Sequence, residues 1–477
     1  MVTPWDRRSL SEQQRLRRLL LSQWVVAAAG YSPFWAERFR VAGVDPANVG
    51  SEDDLRRVPP VREADIVAAG GRGAPALLMR PTESQVKATA SGSTVLAIAR
   101  RIRSDGISGK RLALLQEFKP IHVHHAGRDG ELVVAYSRSD LDRLHRTGKR
   151  AASVIGLDEG DYLVSVVSPR SELAYWGVYH LALGSSILAL HAGGGVEDVV
   201  RSFGLVPATA VAVETAEAVE LAAMLLESDV DLDRVRRIVL VGPPPSSEER
   251  TRITQAFRAA GAHADVKAMA LWAPSEARAL WAECGEGVTD GASTGLHTYP
   301  DLELLELVNP VTGRATEPGG QPLDRDGDLT YTSVGWHGTA LVRYQTGDYV
   351  ERLTTEPCDA CGRTVARIEG ELVPGAWQPA LKVAGGLARA DLRGAAVVLG
   401  NAQGVAAWRL ELRKPTTRVK HDRVIIEVVA DPDRTPGLEA RLTSALGVEP
   451  TSVTYVDDRD ALQAKVEDVG GIFADLR

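Results

Sequence analysis

"TAVAVETAEAVELAAMLLESDVDLDRVRRIVLVG", residues 209–242, holds two short apolar runs separated by an amphipathic segment. The runs "TAVAVE" and "RIVLVG" are Val- and Ile-rich and too short for helices. Between them, "AEAVELAAMLLES" repeats its apolar residues at helical spacing. The stretch therefore reads as strand, helix, strand. Two such strands joined by a helix pair in parallel, with the crossover covering one face of the sheet.

The same alternation extends outward from about residue 130 to 270. "ELVVAYS", "DYLVSVVS" and "SSILALH" read as further strands, and "SDLDRLHRTGKRAASVIG", "LAYWGVYHLALG" and "SEERTRITQAFRAAG" as helices. An α/β fold follows, with parallel or mixed sheets and flanking helices. After residue 290 the pattern changes. "LHTYPDLELLELVNPVTG", "GDLTYTSVG", "TALVRYQTGDYVERL" and "VARIEGELV" are strands joined by tight Gly/Pro turns, which predicts an antiparallel β subdomain over 290–370. The Gly- and Pro-rich "GELVPGAWQPALKVAGG" reads as a hinge. Beyond it, "AWRLELRK", "RVIIEVVA", "SVTYVDD" and the helical "GLEARLTSALG" form a small α+β unit. The expected organisation is a large N-terminal domain, 1–370, and a small C-terminal domain, 371–477.

A chain of 477 residues is too long for one compact core, which agrees with that division. Its net charge of -8 is spread over alternating signs with no basic stripe, which argues against a nucleic-acid partner. No apolar run reaches membrane-spanning length. "RLRRLLLSQWVVAAAG" imitates a signal peptide, but it starts about 15 residues in and holds Ser22 and Gln23. Ser11 and Gln14 read as a capping box opening a surface-docked helix. Three cysteines cannot build a disulfide framework, and a cytoplasmic location is expected.

Cys358 and Cys361, in "PCDACGR", allow three readings. A redox pair needs its first thiol at a helix N-terminus, whereas this pair sits in a loop between strands. Two thiols without function are the second reading. The third is a metal clip, which requires two more ligands. Cys284 in "LWAECGEG" and His297 in "STGLHTYP" supply them, and a Cys3His set suits structural Zn2+ with no ligand position left open.

"YQTGD" followed by "CDACGRTVARIEG" resembles the phenylacetate-CoA ligase branch of the adenylate-forming (acyl-CoA synthetase, AMP-binding) superfamily. The likeness extends to "SPFWAERFRVAGVDP", to "VPPVREADI" and to "LWAPSEARALWAECGEGVTDGASTGLHTYPDLELLELVNPVTG". This last match also brings Cys284 and His297 together with Cys358 and Cys361. The resemblance implies a two-domain ligase that uses ATP and Mg2+ to activate a carboxylic acid, an aryl acid by preference. The acyl-adenylate then goes to CoA, a carrier protein or another nucleophile, and a homodimer is possible. Carried over residue by residue, Asp348 would accept the ribose hydroxyls of AMP. Glu276 would face the phosphates and the magnesium. Trp272 takes the adenine-side position, Gly242 opens the turn beside the base, and Arg363 joins the nucleotide side. Tyr175, Trp176, Tyr179 and His180 would line the acyl pocket. Read locally, Asp348 could instead cap a turn, Glu276 could be a solvated charge, and the aromatics could be ordinary packing.

Three departures from the family pattern bear on function. Where the family has a hydroxyl-rich phosphate loop with a lysine, this chain has "HHAGRDGE". Gly127 and Gly130 can still present N–H groups to an anion. Arg128 is then the only fixed cation, Asp129 repels phosphate, and His124 and His125 are the remaining substitutes. "TASGSTV", 89–95, is an alternative loop. Glu371 stands where the hinge arginine is expected. Gly470 and Gly471 stand where the family has a Gly-Lys, and Lys465 is the nearest lysine. Two functions follow: a divergent acid ligase, or a degenerate member that binds AMP or an acyl-adenylate or serves a structural or regulatory role.

Overall fold

The computed structural model describes residues 5–70, 77–90, 92–104, 106, 109–127, 130–192, 196–228, 230–309, 314–316, 326–383, 386–416, 420–468 and 472–476. The 209–242 unit folds as strand Ala210–Glu214, helix Ala218–Leu226 and strand Arg237–Val241, and the two strands pair in parallel. Tyr162–Ser165, Leu188–His191 and Lys267–Trp272 complete a five-stranded parallel region with Leu188–His191 at its edge. Val211, Val213, Ile238, Leu240, Ala268 and Ala270 are all fully buried. Strands covered on both faces read as continuous apolar runs, which is the pattern that made them legible.

The strands after residue 290 do not form a sheet of their own. Trp281–Glu283 and Leu296–His297 continue from Lys267–Trp272 in antiparallel pairing. Arg367–Pro374, Tyr344–Thr354, Gly327–Ser333 and Glu303–Val308 then extend the same sheet to eleven strands. Lys267–Trp272 carries no β-branched residue, so its propensity gave little notice of it and pairing with both neighbours decides it. "ELVVAYS" does form a strand, Leu132–Tyr136, but outside this sheet: it makes an antiparallel hairpin with His122–Ala126. The first long helix, Leu10–Tyr31, opens on a capping box between Ser9 and Glu12, not Ser11 and Gln14. No helix among the described residues is long and apolar enough to cross a membrane.

Helix Ser247–Ala259 is pinned to the sheet by a buried bidentate pair, with Arg250 donating to both oxygens of Glu283 at 2.8 Å. Glu303 is different, because among the described residues it makes no ion pair. Its Oε1 accepts from Trp281 Nε1 and from the Tyr299 amide, each at 2.7 Å. Burial pushes this carboxyl up to about 8. The folded state therefore holds a proton that the unfolded chain releases above its ordinary carboxyl range. Stability from this group is complete at low pH and is lost as pH rises from about 4.5 to about 8. Glu303→Gln keeps the acceptor and removes the ionisation. Its melting temperature should match wild type near pH 5 and exceed it at pH 8.5; equal midpoints at both pH values would refute the burial argument.

A second compact unit comprises Val308–Asp328, Gly347–Tyr349 and Val373–Arg477. Its four-stranded sheet runs Ser452–Tyr455, Arg423–Ala430, Val405–Arg413, Phe473–Leu476. Helices Leu392–Asn401 and Leu438–Leu446 pack on it through Leu399, Leu442 and Leu446, against Leu410, Ile426 and Val428. Within this unit Asp326 accepts from the Tyr349 hydroxyl at 2.8 Å and pairs with Arg389 at 3.0 Å.

Candidate functional site: a cavity at the strand ends and a thiol cluster

Parallel α/β sheets place ligands beyond the carboxyl ends of their strands, where the connecting loops diverge. A cavity of about 400 Å3 lies there, at the ends of Ala210–Glu214, Arg237–Val241 and Lys267–Trp272. Glu214, Gly242, Trp272 and Ser275 line it on the sheet side. Arg170, Glu172, Leu173 and Ala174, at the start of helix Glu172–Ser185, and His125 form the opposite wall. Gly242 has φ +139, and a Cβ there would stand 3.1 Å from the Thr215 hydroxyl, so a side chain would be both strained and crowded. Trp272 is half-buried, with its ring edge-on to Trp281 at 5.7 Å.

Glu276 follows Ser275 in a short 3-10 turn and is 2% exposed. Its Oε1 accepts from the Tyr344 hydroxyl at 2.6 Å, and its Oε2 from the Ser275 hydroxyl at 3.1 Å. Ser275 Oγ in turn accepts from the Gly127 amide at 3.2 Å. A hydrogen-bonded chain thus runs from the "HHAGRDGE" turn to Glu276. His124 does not face solvent: its Nε2 donates to the Ser275 carbonyl at 2.7 Å, and burial pushes the imidazole down to about 4. A neutral, committed ring is no phosphate contact. His125 instead meets Glu172, its amide at 2.5 Å from Oε2 and its Nδ1 at 3.2 Å from Oε1. Burial raises the Glu172 pKa, and the two His125 hydrogen bonds outweigh it, leaving the carboxyl below its ordinary value. Arg128 and Asp129 lie outside the described residues, as do Gly470, Gly471 and Ser91 of the alternative loop, and the Ser93 side chain is not described.

The remaining candidates are placed elsewhere. Tyr175, Trp176, Tyr179 and His180 form a ring cluster with His122 and His191. Trp176 and Tyr179 are each 37% exposed, and it is Leu173 and Ala174 of this helix that line the cavity. Arg363 is buried, donating to Asp6 and to Ser153, and so staples the chain start to helix Arg138–Ile155. Asp348 sits within strand Tyr344–Thr354, partly exposed, after Gly347 at φ +79. Glu371 donates its amide to Glu351 at 2.9 Å, and Lys465 pairs with Glu427 at 2.6 Å.

Three of the four metal-ligand candidates, Cys284, Cys358 and Cys361, form one cluster, and His297 stands beside it. Cys284 follows strand Trp281–Glu283, and His297 lies on the next strand, opposite Ala282. Cys358 and Cys361 occupy a tight loop closed by the Gly362 amide donating to the Cys358 carbonyl at 2.7 Å, with Gly362 at φ +65. The three sulfurs lie within 4.8 Å of one another, all buried. His297 Nε2 is 3.4 Å from Cys361 Sγ and also hydrogen-bonds Cys358. The thiol hydrogen bond between Cys284 and Cys361 holds Cys361 down and pushes Cys284 up. Three thiols this close cannot all ionise without a cation between them, and a tetrahedral Zn2+ with Zn–S bonds of about 2.3 Å needs only a small contraction.

Sequence reasoning missed Glu63, Glu172, Ser275 and Tyr344. Ser275 adjoins Glu276, and Tyr344 opens the "YQTGD" motif; the two glutamates carry no local signal, because only tertiary contact brings them to the loop.

No protein-family profile matches the chain, and no curated protein sequence does. Solved structures do. An open conformation of 2-hydroxyisobutyryl-CoA ligase, in complex with 2-HIB-AMP and CoA, superposes with TM-score 0.69 at 17% identity, covering 95% of this chain and 89% of that one. The same ligase in its postadenylation state with R3-HIB-AMP gives 0.65 at 16%, covering 97% and 93%. Its thioesterification state gives 0.59 at 16%, covering 95% and 88%. Over nearly its whole length, the chain has the fold of the adenylate-forming acyl-CoA ligases.

Proposed function

We propose that the strand-end cavity holds the nucleotide part of an adenylate. The chain then works on the acyl-adenylate of a small carboxylic acid, passing the acyl group to CoA, a carrier-protein thiol or another nucleophile. The observation that carries this reading is the convergence of Gly242 and Trp272 on one cavity, with Glu276 one residue beyond its Ser275 wall. Trp272 offers a ring for the base, and the resemblance assigns the ribose hydroxyls to Asp348. The acyl group follows helix Glu172–Ser185, where Leu173 and Ala174 meet the cavity and the Tyr175, Trp176, Tyr179 and His180 cluster would favour an aryl acid. The likeness to ligase structures that hold acyl-adenylates supports the same reading. Cys284, His297, Cys358 and Cys361 would hold a structural Zn2+ that ties the sheet to the 358–363 loop.

Calorimetric titration with AMP and with a non-hydrolysable acyl-adenylate analogue tests the site. Trp272→Ala should weaken both by about 5- to 100-fold, the range of base–aromatic stacking. Asp348→Ala should weaken them by tenfold or more, roughly one charge-assisted hydrogen-bond pair. Unchanged affinity in both variants would remove the adenylate from this cavity. Complete ATP- and Mg2+-dependent acid activation is the second reading, favoured by the buried Glu276 that Tyr344 and Ser275 hold in one orientation. Pyrophosphate release from ATP across a panel of aryl and alkyl acids measures it directly.

A further inference from the structure

The turn between strands His122–Ala126 and Leu132–Tyr136 is where the resemblance would put a nucleotide's phosphates, so the state of its amides decides what it can hold. Each described amide in it already donates within the protein. Gly127 donates to Ser275 Oγ at 3.2 Å and Gly130 to the Gly127 carbonyl at 3.3 Å. Glu131 donates to Glu63 Oε1 at 3.2 Å. At the turn's entrance, His125 donates to Glu172 Oε2 at 2.5 Å. Two of these four acceptors are carboxylates, and they come from different helices, Glu63–Gly70 and Glu172–Ser185.

Glycine at 127 is what admits the Glu63 carboxylate to the turn. Gly127 has φ +87, and the Glu63 carboxylate fills the space that a Cβ would occupy. Any other residue would push Glu63 away and strain the turn. The glycine that looks at first like a phosphate-loop relic here admits an anion that belongs to the protein. Glu172 lines the cavity together with Glu214, and Arg170 is the one Lys or Arg among its described lining residues. A ligand bearing a single phosphate ester can enter such a site with little repulsion. A polyanionic triphosphate would have to lie beside two carboxylates that already hold the amides, or displace them both.

We propose that Glu63 and Glu172 are specificity-determining residues: seated on the loop amides, they make the site select a nucleoside monophosphate ester, AMP or an acyl-adenylate, against ATP. This inference rests on the adenylate reading of the cavity. It also fits the sequence of the loop, in which Arg128 stands beside Asp129 and no lysine is present.

Affinities for AMP and for ATP, each with Mg2+, measured by calorimetry on the intact chain supply the test. Wild type should bind AMP more tightly than ATP by about 100-fold, the scale of two like-charge contacts. The Glu63→Gln/Glu172→Gln variant keeps both oxygen acceptors but removes both charges, and it should shrink that ratio by about tenfold or more. Equal affinity for ATP and AMP in wild type would overturn the proposal without any variant. So would a ratio unchanged in a double variant that still binds AMP. If wild type binds neither nucleotide, the adenylate reading fails, and the selectivity inferred from it fails as well. A wild-type preference for AMP that disappears in the double variant supports both.

Discussion

Cys361→Ser should strip the protein of about one equivalent of zinc and lower its apparent melting temperature by roughly 6–12 °C. The expectation starts from burial. Cys284, Cys358 and Cys361 are 0%, 1% and 6% exposed, and His297 is 1% exposed. The segments they join are far apart in sequence, so a metal held by all four closes a long loop. Structural zinc in small domains contributes about 10–16 kcal/mol of apparent binding energy. Part of that remains as sheet packing in a chain of this size, and a loss of about 3 kcal/mol is the reasonable share for one ligand. At roughly 2–4 °C per kcal/mol, the predicted shift follows. Elemental analysis of chelator-washed protein measures the metal, and a thermal scan at fixed rate measures the shift. Cys284→Ser should behave like Cys361→Ser. Loss of zinc in Cys358→Ser with full retention in Cys284→Ser would dismiss the four-ligand set, and metal-free wild type would dismiss zinc altogether.

Arg343→Ala should cost about 3–5 kcal/mol, because it removes three buried charge-assisted hydrogen bonds of about 1.5–3 kcal/mol each, while Glu306 keeps Arg56 at 3.0 Å as its remaining cation. Arg343 is 2% exposed and adopts φ +47, a conformation unusual for a side-chain-bearing residue. It donates to Glu306 at 3.1 Å and to the carbonyls of Arg56 and Val58 at 2.8 and 2.6 Å. Its own carbonyl accepts from the Val61 amide at 2.9 Å. The arginine therefore clamps residues 56–61 beside the start of strand Tyr344–Thr354. Two residues beyond that clamp stands Glu63, which reaches the loop, and next to Arg343 stands Tyr344, which holds Glu276. Truncation should reduce stability and AMP affinity together. Lysine restores the charge but not the fork of donors, so Arg343→Lys should recover only part of either. A denaturation midpoint within 2 °C of wild type, roughly 1 kcal/mol or less, would show that the clamp carries no weight.

The parallel half of the sheet was legible because strands covered on both faces need unbroken apolar runs, as in "TAVAVE" and "RIVLVG". Lys267–Trp272 was not, because "KAMALW" has no β-branched residue and owes its state to two neighbours. The later segments read as strands of an antiparallel β subdomain, and in the fold they continue the sheet that holds the parallel strands. Periodicity reports which residues alternate and not which edge they join. Trp281–Glu283 and Leu296–His297, five residues between them, provide the junction and are too short to leave a pattern.

At the sites the division is similar. Residue type and order alone grouped the three cysteines with His297, since thiols are scarce here and their chemistry is specific. Gly242, Trp272 and Glu276 came only from the family resemblance, position by position along the chain. What sequence could not supply was the partner of each group. Glu63 and Glu172 are ordinary acidic residues at the starts of two helices, and nothing local distinguishes them from solvated charges. Folding brings both carboxylates onto the amides around Gly127, and that contact, which depends on distance in space and on the absence of a single Cβ, decides which anion the turn can accept.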